Sequence, residues 1–199
     1  MTHIPRLILG SASPRRVDML AQIGITPDII QGADIDETPR KGELPDLYCL
    51  RVALEKNNVL ATQFPNDFIL TADTTGALGR RILGKPEDRA DAEKMIRLLS
   101  GRAHLIHTAV IVKAPGKEPA QRLNTSRIKF KRLSDPEIEA FLNTNDWQGC
   151  AGGYRLQDHM AQHIISITGS PSGIVGLPLY ETMQLLNGLG YKTDTGLTK

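Results

Sequence analysis

The stretch Leu7-Ile8-Leu9-Gly10-Ser11-Ala12-Ser13-Pro14-Arg15-Arg16 decides how the whole chain is read. Three apolar residues run into a glycine and small polar residues, and an amphipathic segment with Val17, Met19, Leu20 and Ile23 follows up to Gly24. That is strand, tight loop, helix. Ser13 is expected to cap the helix, with Pro14 at the first helical position, where its missing N–H costs nothing. A strand that feeds a helix N-terminus aims unpaired N–H groups and the positive end of the helix dipole at one point. Such a point suits phosphate or carboxylate, and two serines and two arginines in the same turn add donors of the right geometry. Taken alone, the motif fits an ordinary capped helix with solvated arginines equally well.

Working outward, residues 27–31 read as a short strand and 32–45 as a long acidic surface loop. Leu47, Leu50, Leu54 and Ala61 recur at helical spacing over 46–61, with Asp46 as the expected cap, so that Arg51 and Lys56 project from a helix. A buried strand over 68–72 is expected to stop at Asp73, and a helix to run over 88–99 to Ser100-Gly101. The extended runs 103–113 and 121–133 flank a Pro-Gly loop as an antiparallel hairpin. Ser134-Asp135-Pro136-Glu137 is a capping box that opens a helix through Leu142. A glycine-rich turn over 149–153, a strand over 164–167 and a helix over 178–186 ending before Gly188 follow, and 192–199 reads as a frayed tail. The sum is an α/β (α+β) fold, a mixed sheet with flanking helices, in one domain spanning residues 1–199.

Composition narrows the function classes. In 199 residues, 24 Lys and Arg against 22 Asp and Glu leave a formal charge of +2, and the basic residues are scattered. Charge alone gives no reason to expect nucleic acid or a membrane as partner. Two cysteines rule out a disulfide scaffold and favour a reducing cytosol. No apolar run reaches the ~18 residues of a bilayer span, and the N-terminal one is too short for a signal peptide. The expected location is cytoplasmic.

Several residues could carry chemistry. Asp73-Thr74 follows a strand, where a carboxylate can hold a divalent cation or take a proton from water, although a turn aspartate is the commoner case. Lys85, twelve residues on, sits in a loop able to deliver an ammonium to phosphate. Lys56 and Arg51, with Asp34, Asp36 and Glu37 before them, suit a metal-chelated polyphosphate, whereas each charge singly suits a solvated surface. His159 and His163 stand at i,i+4 without a zincin glutamate, and His104 and His107 fall on opposite faces of a strand. There is no Walker glycine loop and no G-x-G-x-x-G, so P-loop, kinase and dinucleotide readings lapse.

From Leu7 to Gly190 the chain resembles the Maf family of nucleoside triphosphate pyrophosphatases. The matching blocks are SASPRR (11–16), Asp36-Glu37, Ala53-Leu54-Glu55-Lys56, ADT (72–74), ILGKP (82–86), LLSGRAH (98–104), AGGYRLQ (151–157) and GLPLYE (176–181). The resemblance implies an inosine triphosphatase-like fold with two lobes around a cleft. It also implies hydrolysis of a nucleoside triphosphate to monophosphate and pyrophosphate with a divalent cation, Mg or Mn. Carried over by position, Asp73 looks like the acidic catalytic residue, with Glu37 as a second metal-site carboxylate. Ser11, Arg16, Lys56 and Lys85 look like phosphate contacts. Arg15, Thr74 and Gln157 match the branch that acts on dTTP and UTP. The chain departs from the usual pattern at Thr75-Gly76-Ala77, and at Arg155 and Asp158, where glycines are usual. A homodimer is left open. The rival expectations are a non-enzymatic regulator of septum formation and, more weakly, a single-strand nucleic-acid binder using Ser13-Pro14-Arg15-Arg16 and the strand from Arg127 to Arg132; aromatics at 5% make poor stacking platforms.

Overall fold

The computed structural model describes residues 4–192, which leaves the expected frayed tail, apart from Lys192, outside the described residues. The opening motif folds as β1 (Leu7–Gly10), a short loop and α1 (Pro14–Gln22). There follow β2 (Ile29–Ile30), α2 (Pro45–Gln63), β3 (Phe68–Leu78), β4 (Arg81–Leu83) and α3 (Arg89–Leu99). The long hairpin is β5 (Ala103–Lys113) with β6 (Ala120–Phe130), then α4 (Asp135–Leu142), two 3-10 turns (Ala151–Gly153, His159–His163), β7 (Ile164–Thr168), α5 (Pro171–Val175) and α6 (Leu179–Leu189). The seven strands form one mixed sheet in the order β2-β1-β3-β5-β6-β7, with β4 paired to β3. Strand β1 is parallel to β2 and β3 because a helix returns the chain each time; the other pairs are antiparallel.

Strands β3, β5 and β6 are eleven residues each, about 36 Å at ~3.3 Å per residue. That length exceeds what one helix layer covers, and the buried side chains divide accordingly. Leu7, Leu9, Leu20, Leu70, Val110 and Leu186 gather under α1 and α6, whereas Ile96, Leu99, Ile106, Phe130, Phe141 and Trp147 gather under α3 and α4. Helix α2 covers the other face, with Cys49 and Ala53 against Ala109 and Ile111. No helix among the described residues is long and apolar enough to cross a membrane.

Strand β3 corrects the expectation that it stops at Asp73. It runs on to Leu78, with Asp73 opposite Ala109 and Ala77 opposite Leu105 on β5. On its other edge, β1 reaches only to Gly10 opposite Thr71, and pairing with β4 starts only at Gly76, opposite Leu83. Ala72, Asp73, Thr74 and Thr75 are therefore bordered on one side alone. This gap in the sheet edge, at the carboxyl end of a parallel strand, is where a ligand can approach the backbone of an open α/β sheet.

The ends of elements carry smaller corrections. The N-cap of α2 is Leu44, with Asp46 in the first turn. Strand β6 ends at Phe130 rather than 133, at a shift of register with β7. Helix α6 runs through Gly188 and closes at Gly190, whose φ of 90° is the left-handed cap that glycine adopts without strain. The Ser134 capping box is present, Glu137 accepting from the Ser134 backbone N–H at 2.9 Å.

The last residue of β1, Gly10, leaves no room for a side chain. A Cβ there would lie 2.5 Å from Leu60 Cδ1 and 2.5 Å from Thr71 Cγ2. We expect Gly10→Ala to destabilise the protein by about 1–3 kcal/mol through overpacking. A lower urea midpoint at unchanged slope is the measurement that checks it.

Candidate active site

A cleft of about 560 Å³ opens at the gap in the edge of β3, bordered by Leu83, Ile106, Tyr154 and Ile174 of the cluster under α3 and α4. Its polar wall begins with the loop between β1 and α1. Ser13 makes no side-chain capping bond; instead its backbone N–H donates to Ser11 Oγ at 3.1 Å. The buried Ser11 hydroxyl also accepts from Arg16 Nη1 at 2.9 Å. Arg16 further donates through Nε to the Gly176 carbonyl at 2.8 Å and through Nη2 to Thr74 Oγ1 at 3.4 Å. Burial pushes its guanidinium below the ordinary value, opposed by the charge of Asp73; a guanidinium remains charged nonetheless. Gly176 supplies its carbonyl from a φ of 128°, a conformation that a side chain would strain.

Thr74 is anchored from behind as well. Thr108 on β5 is fully buried, with Oγ1 3.1 Å from Thr74 Oγ1 and 2.8 Å from the Gly173 carbonyl of α5. One hydroxyl thus ties the middle of the sheet to the α5 segment that also holds Arg16.

Asp73 faces the opposite side of β3, toward α2. Its Oδ1 is 3.0 Å from Lys56 Nζ, and its Oδ2 accepts from Thr75 Oγ1 at 3.2 Å. The Cys49 thiol lies behind it, 3.3 Å from the Asp73 carbonyl, and burial pushes that thiol up to about 12. Lys56 also pairs with Glu37 Oε1 at 2.8 Å. Tyr48 steadies the Glu37 loop by donating from its hydroxyl to the Glu37 carbonyl at 2.8 Å. Arg51 grips the same loop through Glu43 at 2.6 Å and the Thr38 carbonyl at 3.2 Å, and it holds the Glu43 carboxyl down to about 2. Arg51 is therefore a loop clamp and does not line the cleft.

The remaining expected residues also reach the cleft. Lys85 is exposed on the loop after β4, a loop fastened where Gly84 O accepts from Gly152 N at 3.0 Å. Arg15 and the exposed Gln157 line it too. Arg155 is pinned by Cys150 Sγ at 3.0 Å, by Asp158 at 3.2 Å and by the Gln148 carbonyl at 3.2 Å. The apolar wall opposite is formed by Leu83, Ile106, Tyr154 and Ile174. Tyr154 turns its hydroxyl away to His104 Nε2 at 2.6 Å, and burial pushes His104 down to about 4. Neither His104 nor His107 lines the cleft.

The structure thus gathers Ser11, Arg15, Arg16, Glu37, Lys56, Asp73, Thr74, Lys85 and Gln157 around one space. Sequence reasoning assigned no role at the site to Tyr48, Thr75, Thr108 or Tyr154. Thr75 and Thr108 are ordinary strand residues by propensity, and nothing local to them signals a partner. Asp73 and Glu37 are hard oxygen donors already converging on one cation, the Lys56 ammonium. That donor set fits Mg²⁺ or Mn²⁺, which take one or two carboxylates together with substrate oxygens.

A family model described as Maf-like protein matches residues 6–189. The chain belongs to the Maf family. A Caulobacter vibrioides protein named dTTP/UTP pyrophosphatase is 50% identical over 188 residues, 94% of this chain and 97% of that protein. A Cereibacter sphaeroides protein of the same name is 53% identical over 184 residues, 92% of this Maf chain and 95% of the relative. Among solved structures, a HAM1 protein from Coxiella burnetii aligns at 16% identity with a TM-score of 0.47, covering 65% of this chain and 75% of that one.

Proposed function

We propose that this Maf protein is a cytoplasmic nucleoside triphosphate pyrophosphatase that hydrolyses dTTP and UTP to the monophosphate and pyrophosphate. The observation that carries the reading is the meeting of Ser11, Arg16, Lys56 and Lys85 with Asp73 at the open stretch of β3. Four donors, three of them cationic, suit a polyphosphate and no neutral ligand. The relatives' dTTP/UTP pyrophosphatase activity is the natural assignment for such a cleft.

Arg16 spends three of its five N–H groups on the protein, which fixes the plane of the fork and leaves two for phosphate oxygens. Lys56 and Lys85 add point charges on flexible stems. Together they stabilise charge that grows on the leaving pyrophosphate. Asp73 keeps lone pairs beyond its bonds to Lys56 and Thr75, enough to ligate a cation or accept a proton from water. A divalent cation held by Asp73 and Glu37 would polarise the α-phosphate and acidify the attacking water.

The base is read by Gln157, Arg15 and Thr74 against the apolar wall. An amide both donates and accepts, as a pyrimidine edge requires. A panel of triphosphates with the purified protein, read as pyrophosphate release, should give higher kcat/KM for dTTP and UTP than for ATP or GTP. Gln157→Ala should narrow the gap by lowering dTTP about tenfold, the scale of one lost hydrogen bond. A purine or methylated guanosine triphosphate as the best substrate would overturn the pyrimidine assignment. No pyrophosphate release from any triphosphate would favour the regulator.

A further inference from the structure

Lys56 leaves the middle of α2 and sets its ammonium between two carboxylates, 2.8 Å from Glu37 Oε1 and 3.0 Å from Asp73 Oδ1. The Lys56 and Asp73 side chains are only 12% and 11% exposed, so this contact is held by the fold and poorly screened by water. Among the described residues, no group of three or more His, Cys, Asp or Glu converges anywhere. Among the described residues, Asp73 and Glu37 are the two carboxylates that line the cleft, and one of their two charges is already balanced by a cation of the chain itself.

We infer that Lys56 is a resident counter-ion that keeps divalent metal out of the empty cleft, so that metal enters only when a triphosphate draws the ammonium onto its own oxygens. The inference rests on the pyrophosphatase reading above. A divalent cation entering beside the ammonium would meet a like charge at contact range in a sheltered site, which disfavours both. A polyphosphate carries several negative charges, and the four-carbon stem of lysine lets the ammonium swing to them while its root stays fixed on α2. The carboxylates freed by that movement then face each other and attract the metal that the nucleotide brings. Metal affinity is on this account a property of the nucleotide complex, and Lys56 couples the two.

The test uses Mn²⁺ alone, without nucleotide, and counts free ion by its paramagnetic resonance signal. The wild-type protein should bind weakly. Lys56→Met, which keeps the length of the side chain and removes its charge, should bind at least about tenfold more tightly. Lys56→Gln serves as a second variant if the methionine form does not fold. Adding Asp73→Asn to either variant should erase the gain. Mn²⁺ should also raise the unfolding temperature of the Lys56 variants more than that of the wild type. Equal Mn²⁺ affinity in wild type and variants would overturn the inference, as would a gain that survives Asp73→Asn. Because nothing in this measurement turns over, its outcome is independent of the substrate panel.

Discussion

Asp73→Asn is expected to lower kcat by at least about 100-fold, the scale of losing a general base or comparable catalytic group, while the unfolding transition stays in place. The exchange is nearly isosteric and sits in the middle of β3, where the backbone pairs with Ala109 whichever side chain is present. Asparagine can still accept from Lys56 through its carbonyl oxygen, so the wall of the cleft keeps its shape. What it loses is the negative charge and one of the two acceptor oxygens, and with them the basicity needed to hold a cation or take a proton. Glu37 would then be the one carboxylate left beside Lys56. The check is steady-state pyrophosphate release beside a thermal melt. A variant that keeps most of its kcat would transfer the catalytic role to another carboxylate, with Glu37 the nearest in place.

The sequence carried the opening of this fold because β1, its glycine and the proline-started α1 are local decisions: each follows from neighbouring residues. The long hairpin and the Ser134 capping box were legible for the same reason. The extension of β3 was not. Thr74 and Thr75 lack the apolar run that marks a buried strand, since they line a cleft on one edge and draw their pairing from β5, some thirty residues further along. Helix α6 misled in a simpler way, because Gly188 is tolerated inside it while Gly190 takes the left-handed cap.

At the site, the residue types were visible and their partnerships were not. Glu37 and Lys56 were readable as charges of opposite sign, but their pairing depends on Tyr48 and Arg51 holding a loop against α2. Arg51 itself read as a candidate ligand contact, when its guanidinium is consumed by Glu43 and Glu55. Thr108 gave no signal at all, because a threonine in a strand is unremarked until the carbonyl of α5 is found beside it. Long-range pairing of this kind is set by topology rather than by the neighbours in the chain.

Arg16→Ala should cost about 100-fold in kcat/KM, near 2.7 kcal/mol, comparable to removing one donor from a site that stabilises developing negative charge. Two losses combine in it. The phosphate loses a charged fork, and the cleft loses the brace that joins the Ser11 loop, Thr74 and the Gly176 carbonyl. Arg16→Lys separates them, since lysine restores the charge without the planar fork that reaches three acceptors at fixed angles. If the charge dominates, the lysine variant recovers most of the activity. If the brace dominates, it stays close to alanine, and KM for dTTP rises with the fall in kcat because Thr74 keeps only its contact with Thr108. The geometry favours the second outcome: Nε, Nη1 and Nη2 are all committed to protein acceptors before any substrate arrives, and an ammonium cannot span Ser11 and Gly176 together. Unchanged kinetics in the alanine variant would place the phosphate site elsewhere in the cleft, on Lys56 and Lys85 alone.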